Sequence, residues 1–249
     1  IFMNPVILEH YLRGIQFAMG DFSVPTKPLG ASQAQTPAGD PIVEKVKAYD
    51  FGQSREALTA ISDDIRKAYG KPEELKKFEA SLIAVLQSDA KYAGKQYACR
   101  ELSIIGTDQS VPVLAGMLTN PEYSDMARYA LERIPGDRVN VALLENLNKA
   151  EGNARIGIVN SLGERRCAAA VPMIAKLVDS QDKQLSGAAI SALGKIGGPE
   201  AVAALDVAIK NVPEEQKMLV YDAYLKIADK MAAEGDKLGA NKIYISLNK

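Results

Sequence analysis

Leucines recur at intervals of about thirty residues through most of the chain. The clearest copy lies in SALGKIGGPEAVAAL, residues 191–205. The matching leucines, which we call the anchor positions, stand 29, 31, 31 and 32 residues apart: Leu102, Leu131, Leu162, Leu193 and Leu225. A period of roughly 20–50 residues is the signature of repeat architectures, in which each unit buries its apolar face against its neighbours. The pattern therefore predicts a solenoid.

Apolar residues also recur at fixed distances from the anchor positions and indicate two helices in each unit. Twelve residues beyond the first four anchors stand Leu114, Leu143, Ile174 and Leu205, and sixteen beyond them stand Leu118, Leu147, Val178 and Ile209. A separation of four residues keeps side chains on one helix face. Pro112 and Pro172 stand where a helix begins. Gly106 and Gly197 stand just past helix ends, where we expect left-handed caps.

The C-terminal end departs from the repeat. Twelve residues beyond Leu225 the expected apolar residue is replaced by Lys237. We expect an atypical last helix with an apolar inner face formed by Ile243, Tyr244 and Leu247. Terminal repeats must present a polar outer side to solvent, so this segment is predicted to be a cap.

The N-terminal end has a different composition. Residues 1–24 predict an amphipathic helix or arm, residues 25–41 form a linker rich in Pro, Gly, Ala and Ser, and residues 42–249 form the repeat domain. Within the linker, Ser32-Gln33-Ala34 is similar to a signal-peptidase site, although no continuous apolar stretch precedes it. We expect a periplasmic or secreted protein, with the cytoplasm as the alternative.

The punctuation Ala-x-x-Ala-Leu-x-x-Ile-Gly, seen at residues 189–197, resembles the HEAT-repeat family, specifically the short type first associated with phycobilisome lyases. The resemblance covers roughly Leu75 to the C-terminus. It implies an all-α fold, a right-handed α-solenoid of about five to six helix pairs. The segments AYDFGQSREAL and KQYACRELSIIGTDQSVPVL also resemble exported bacterial HEAT proteins of unknown function, some of which are fused to carbohydrate-active domains.

The composition argues against several classes of function. The 249 residues carry a formal net charge of −1, whereas nucleic-acid binders usually show a basic excess, so nucleic acid is disfavoured as a partner. No apolar run is long enough for a membrane span. The single histidine, His10, and the two cysteines form no metal cluster or catalytic set. We therefore expect no catalytic residue, no metal and no cofactor.

The second helix of each unit supplies the candidate binding surface, because in HEAT solenoids this helix lines the concave side where partners dock. Positions two before and two after the anchors mix charged and polar types, which suits a protein or peptide ligand. These candidates are Arg100, Tyr129, Arg133, Asn160, Glu164, Ser191 and Lys195. An ordinary solvated helix face fits the same pattern.

The turn Glu164-Arg165-Arg166-Cys167 breaks the repeat, because sister units carry isoleucine where Arg165 stands. Two arginines beside a thiol can lower its pKa or hold an anion, so Arg165 and Arg166 join the binding candidates. The alternative is a turn that simply faces solvent. Cys167 is expected to be exposed, and Cys99, near an anchor, is expected to be a buried inert thiol.

These observations favour a non-catalytic scaffold or assembly subunit that binds a protein or peptide. Self-association through residues 1–41 would make the partner a second copy. Two other classes stay open: a HEAT-type lyase or chaperone-like factor, and an accessory module of an exported carbohydrate-active system.

Overall fold

The computed structural model describes residues 39–247, and every regular element in that part of the chain is helical. The all-α class predicted from the repeat is confirmed. The helices are α1 Pro41–Ala48, α2 Glu56–Lys67, α3 Pro72–Gln87, α4 Tyr92–Ile105, α5 Val111–Met117, α6 Ser124–Leu131, α7 Asp137–Leu147, α8 Gly152–Glu164, α9 Val171–Ala175, α10 Lys183–Ile196, α11 Pro199–Asn211, α12 Glu214–Ala233 and α13 Lys237–Leu247, with a 3₁₀ turn at Ala168–Ala170. Among these helices, none is long and apolar enough to cross a membrane.

The helices pack as neighbouring pairs. From α3–α4 to α11–α12, each pair consists of a first helix and a second helix in mutual contact. The second helices α4, α6, α8, α10 and α12 also pack on one another in chain order, so the pairs form a stack. This is the predicted helical solenoid, while its right-handed sense and its concave side stay predictions.

The core of the stack consists of the residues that the period identified. The first four anchor leucines are fully buried, and so are the four residues twelve positions beyond them. Sixteen positions beyond, Leu118, Leu147 and Val178 are buried, and Ile209 packs against the core from a half-buried position. Burying a leucine or isoleucine side chain contributes about 1.5–3 kcal/mol, so these positions account for much of the stability.

The fifth anchor is one residue away from its predicted place. Leu225 is exposed, and the buried residue is Tyr224, which lies 31 residues beyond Leu193. The physical reason is the close contact between Gly194 of α10 and Ala223 of α12, which sets the rotation of α12 and turns Tyr224 inward. The last repeat therefore keeps the 31-residue period.

The helix ends confirm three of the four predicted signals. Pro112 and Pro172 lie in the first turns of α5 and α9, and Gly197 ends α10 with a φ of 71°. Gly106 is different, because its φ of −63° is available to any residue. Space explains the glycine there: a Cβ would lie 2.8 Å from the Ile134 Cδ1.

The N-terminal end of the described chain begins at a capped helix. The Asp40 carboxylate accepts a hydrogen bond from the Ile42 N–H at 2.8 Å and another from the Ser81 hydroxyl at 2.5 Å. Asp40 and Pro41 were predicted to end the linker, and they open α1 instead. The predicted arm, the rest of the linker and the Ser32-Gln33-Ala34 motif lie outside the described residues, so export and self-association through residues 1–41 stay predictions.

The C-terminal helix α13 packs through its predicted face. Ile243 is buried, Leu247 packs against the core, and the Tyr244 hydroxyl donates to the Asp229 carboxylate at 2.6 Å. The exposed side of α13 is mostly polar and comprises Lys237, Asn241, Lys242 and Ser246, together with the apolar Leu238 and Ile245. The last helix thus has the polar outer residues expected of a cap and two exposed apolar side chains beside them.

Candidate binding surface

The exposed side of the second helices, which we call the second-helix face, holds most of the predicted site residues in two separate places. Arg133, Asn160, Glu164 and Lys195 come together in one open groove, which Glu132 also lines. Arg100 and Tyr129 lie in a separate pocket. Ser191 is half-buried and lines neither of them.

The groove, which runs across the ends of α6, α8 and α10, is polar and its charges are already engaged. Lys195 forms an ion pair with Glu164 at 2.6 Å. The Arg133 guanidinium lies 3.8 Å from the centre of the Tyr129 ring and donates to the Tyr129 carbonyl oxygen at 2.8 Å. Exposed pairs of this kind contribute about 0–1 kcal/mol to stability, and they leave little unused charge for a partner.

The pocket, which we call the aromatic pocket, has a volume of about 440 Å³. It lies where the α1–α2 connection meets α4 and α6. Its aromatic and aliphatic lining comprises Tyr49, Phe51, Leu58, Tyr92, Tyr97, Met126 and Tyr129, and its charged lining comprises Arg55, Arg100 and Asp125. Ligand pockets commonly enclose about 300–1,000 Å³ and combine an apolar lining with a few polar groups, as this one does.

The wall of the aromatic pocket is a row of rings. The Phe51 and Tyr92 rings are 6.1 Å apart, a distance at which tilted rings attract. The row continues beyond the pocket lining to Tyr123, whose ring is also 6.1 Å from that of Tyr92. Phe51 is 60% exposed, so contacts of its own side chain do little to fix the loop that carries it. Asp50 fixes the loop instead, because its carboxylate accepts a hydrogen bond from the Phe51 N–H and forms an ion pair with Lys91 at 2.9 Å.

The hydrogen bond from Lys91 lowers the pKa of Asp50 from its ordinary value, with a further contribution from the Phe51 N–H. Asp50 therefore stays ionised at neutral pH, and the tie between the loop and the start of α4 is retained there. The ring of Phe51 is thus presented to solvent by a fixed backbone.

The floor of the aromatic pocket is a hydrogen-bonded cluster. The Tyr97 hydroxyl donates to the Leu58 carbonyl oxygen at 3.0 Å and lies 3.0 Å from the Ser62 hydroxyl. Ser62 in turn donates to the buried Glu101 carboxylate at 2.9 Å. Burial raises the pKa of Tyr97 to about 12, so this phenol stays neutral and fixes the floor.

The two arginines of the aromatic pocket are its unused charges. Within residues 39–247, neither Arg55 nor Arg100 forms an ion pair with a carboxylate, whereas Asp125 is paired with Arg128. Burial raises the pKa of Tyr97, and the positive charges of both arginines lower it by a smaller amount. The pocket therefore offers positive charge beside an apolar wall.

The sequence reasoning missed most of this pocket. Arg100 and Tyr129 were predicted, but the aromatic residues of Ala48-Tyr-Asp-Phe-Gly52 and those that begin α4 were not. Tyr49 and Phe51 precede the regular repeats, so the period could not place them. The cluster of two rings within AYDFG was the available signal.

Arg165 has a structural role, and the predicted anion site at Arg165 and Arg166 stays a prediction. Its guanidinium donates to the Asn140 side-chain oxygen at 2.7 Å. It also donates to carbonyl oxygens at the end of α6 and in the following loop, at 3.2, 3.1, 2.8 and 2.7 Å: Leu131, Glu132, Ile134 and Gly136. Arg165 therefore fixes the loop of the preceding repeat. Arg166 is exposed with a φ of 51° and lines neither the groove nor the pocket.

The two cysteines are both free and buried. Burial raises the pKa of Cys99 to about 12, which confirms the predicted inert thiol. The exposed position predicted for Cys167 is wrong, because its N–H donates to the Leu162 carbonyl oxygen and turns it under the loop. Burial also raises the pKa of Cys167, and this outweighs the opposing effect of Arg165. Neither thiol is activated.

Within residues 39–247, no three side chains of His, Cys, Asp or Glu are arranged to hold a metal ion. The groups that the surface does offer are aromatic rings, guanidinium groups and already paired charges. Such groups can bind and orient a ligand.

Comparison with known proteins agrees with the fold. A family model for HEAT repeats matches residues 140–217, which span α7 through the beginning of α12. No curated protein is similar enough to the sequence to count as a match. The helix pairs that precede residue 140 continue the same stack of second helices. The match over these residues and the all-helical paired architecture fit a HEAT-repeat helical protein.

Proposed function

We propose that this protein is a non-catalytic interaction module that binds a segment of another protein on its second-helix face. HEAT repeats commonly mediate protein interactions, and stacked repeats present extended surfaces suited to that role. The aromatic pocket is the anchor of the interaction, and the groove is the continuation of the surface on which the rest of the segment lies.

The observation that carries this proposal is the combination, in one pocket, of exposed rings with two arginines that form no ion pair within residues 39–247. Tyr, Phe and Arg are enriched at the centres of protein interfaces, where a few anchors supply most of the binding energy. The rings suit an apolar side chain, and Arg55 and Arg100 suit a carboxylate beside it. The expected partner segment therefore has an aromatic or aliphatic residue next to Asp, Glu or a terminal carboxylate.

Selection of random displayed peptides on the full chain tests this proposal with a defined probe. We expect the enriched peptides to share an apolar residue next to an acidic one. The comparison variant is Gln96→Trp, which fills the aromatic pocket from an exposed position of α4. The matched control is Gln184→Trp, an equally exposed position at the start of α10.

We expect Gln96→Trp to abolish enrichment of these peptides and Gln184→Trp to leave it unchanged. The proposal fails if no peptide is enriched, or if both variants enrich the same peptides as the parent chain. Circular dichroism of each variant shows whether the helices are retained.

A carbohydrate ligand is the second candidate, because exposed rings such as Phe51 and Tyr92 also suit the apolar faces of sugars. The unpaired arginines then favour an acidic sugar. A glycan array probed with the parent chain and with Gln96→Trp distinguishes the two candidates. Glycan binding that Gln96→Trp removes, without peptide enrichment, would replace the first proposal by the second.

A further inference from the structure

Consecutive second helices in the C-terminal half of the stack meet through a repeated contact. A Cβ on Gly163 of α8 would lie 2.9 Å from the Ala192 Cα of α10. A Cβ on Gly194 of α10 would lie 2.8 Å from the Ala223 Cα of α12. Both pairs are related by the same 31-residue step, so each second helix presents an equivalent side to the next one along the stack.

Within residues 39–247, no further second helix packs on the equivalent side of α12, and α13, which also contacts α12, leaves this side exposed. In α10 this side comprises Gly187, Ile190 and Gly194, and the last two are buried. Thirty-one residues on, the corresponding residues of α12 are Met218, Tyr221 and Leu225. They are 71%, 38% and 42% exposed, and we call them the α12 stripe.

The spacing of the α12 stripe is that of a helix-packing surface. Residues 218, 221 and 225 follow the i, i+3, i+7 pattern that places side chains on one helix face. The neighbouring charges are already neutralised, since Lys226 pairs with Asp222 at 2.6 Å and Lys217 pairs with Glu214 at 2.7 Å. Covering the stripe therefore buries apolar side chains without burying an unpaired charge.

The opposite end of the stack has a different outer surface. There α2 exposes charged residues, among them the ion pairs of Asp63 with Arg66 and of Asp64 with Lys67. A head-to-tail contact would place the α12 stripe on this charged surface. A contact between two α12 stripes matches apolar with apolar, which a two-fold dimer achieves because its interface uses the same patch twice.

We propose that two copies of this chain associate through their α12 stripes about a two-fold axis near Tyr221. In antiparallel pairing, Met218 of one copy lies opposite Leu225 of the other, because Tyr221 stands almost midway between them in sequence. This contact continues the stacking of second helices from one copy into the next. Leu225 replaces the glycine of earlier repeats and supplies a side chain to insert between those of the other copy.

The size of the surface sets the expected strength. Stable interfaces bury about 1,200–2,000 Å² in total, and a single pair of 20-residue helices supplies less than that. We therefore expect a dimer that dissociates on dilution. Analytical ultracentrifugation of the full chain should show an average mass that rises with concentration from 26.8 kDa towards twice that value.

Two variants separate the α12 stripe from other surfaces. Leu225→Glu places a charge against the apolar Met218 of the other copy and should leave the chain monomeric at every concentration. Val207→Glu, at a 57% exposed position of α11, is the matched control and should leave the mass curve unchanged. A parent chain that stays monomeric throughout would overturn the proposal.

A cross-link then tests the two-fold geometry. Because Cys99 and Cys167 are buried, Tyr221→Cys adds one accessible thiol to an otherwise unreactive chain. Mild oxidation should produce a disulfide-linked dimer from Tyr221→Cys and none from Val207→Cys. A dimer that persists in Leu225→Glu, or that does not cross-link through residue 221, would show that another surface, such as residues 1–38, holds the copies together. Peptide binding is measured separately, so this proposal and the proposed function fail independently.

Discussion

The two halves of the second-helix face are built from the same repeat but differ in what they leave unused. In the half formed by α8 and α10, the helices touch through Gly163, and the groove charges pair with one another. In the half formed by α4 and α6, a 440 Å³ pocket remains, with exposed rings and two arginines that have no carboxylate partner in the described part of the chain. Charged groups that are already paired offer little to a ligand, so we propose that the pocket half is the half that binds.

One position of the repeat accounts for much of this difference. The residue after each anchor is Gly163 in α8 and Gly194 in α10, and the corresponding residues of the earlier units are Ser103 and Glu132. Glycine lets the backbones of successive second helices approach, as the contacts of Gly163 and Gly194 with alanines show. Glu132 instead reaches the Ser161 hydroxyl at 2.6 Å, so the contact between α6 and α8 runs through side chains.

The largest expected effect is a loss of stability on separating α10 from α12, which are closely packed at Gly194. Gly194→Val places methyl groups against the Ala223 backbone, and we expect the free energy of unfolding to fall by about 3 kcal/mol. The control is Gly116→Ala in α5, where a Cβ meets nothing within 4 Å, and it should raise stability by about 0.5–1 kcal/mol. Urea unfolding measures both, and equal losses would contradict the role given to Gly194.

Arg165 links the loop after α8 to the loop after α6, and replacing it should lower the free energy of unfolding by a somewhat smaller amount. Arg165→Met leaves the carbonyl oxygens of Ile134 and Gly136 without their donor, and we expect a loss of about 2 kcal/mol. The matched control is Arg166→Met, an exposed neighbour whose replacement should change stability by no more than about 0.5 kcal/mol. If the two arginines proved interchangeable in thermal unfolding, Arg165 would not be structural.

Removing a charge should weaken peptide binding more in the aromatic pocket than in the groove. Arg100→Gln removes an unpaired charge from the aromatic pocket, and we expect a selected peptide to bind about tenfold more weakly. Lys195→Gln makes a similar change in the groove, where the charge is already paired with Glu164, and the affinity should change less than about threefold. Titration calorimetry measures both, and a larger loss from Lys195→Gln would reverse the assignment of the two halves.

The smallest expected effect is a pH dependence in the pocket floor. The pKa of Tyr97 rises from 10.0 to about 12 on folding, so its contribution to stability is complete below pH 10 and is lost as the pH rises towards 12. Tyr97→Phe should unfold at a slightly lower temperature at neutral pH, because the bond to Leu58 is lost. Its melting temperature should then fall less steeply than that of the parent chain above pH 10. Parallel curves would show that Tyr97 is not the group that titrates.

The period was sufficient to predict the helix pairs and their core, because burial at Leu102, Leu131, Leu162 and Leu193 depends on local spacing alone. Where the structure differs from the prediction, contacts between residues far apart in the sequence decide which side chain is buried. Tyr224 rather than Leu225 is buried because Ala223 meets a glycine 29 residues earlier.

The binding surface was predictable only where it belonged to the repeat. The groove residues occupy fixed positions relative to the anchors, so spacing alone brought them together. The aromatic pocket also needs the loop that carries Phe51, and Lys91 holds that loop from 41 residues away. The structural role of Arg165 was not predictable for a similar reason, since its acceptors lie in the preceding repeat.

A crystal structure of the full chain with a selected peptide tests the central claim most directly. The account predicts an apolar side chain of the peptide among Phe51, Tyr92 and Tyr129, with a carboxylate on Arg55 or Arg100 and the rest of the segment along the groove. A peptide bound to the first helices or to the α12 stripe, with the aromatic pocket empty, would contradict it.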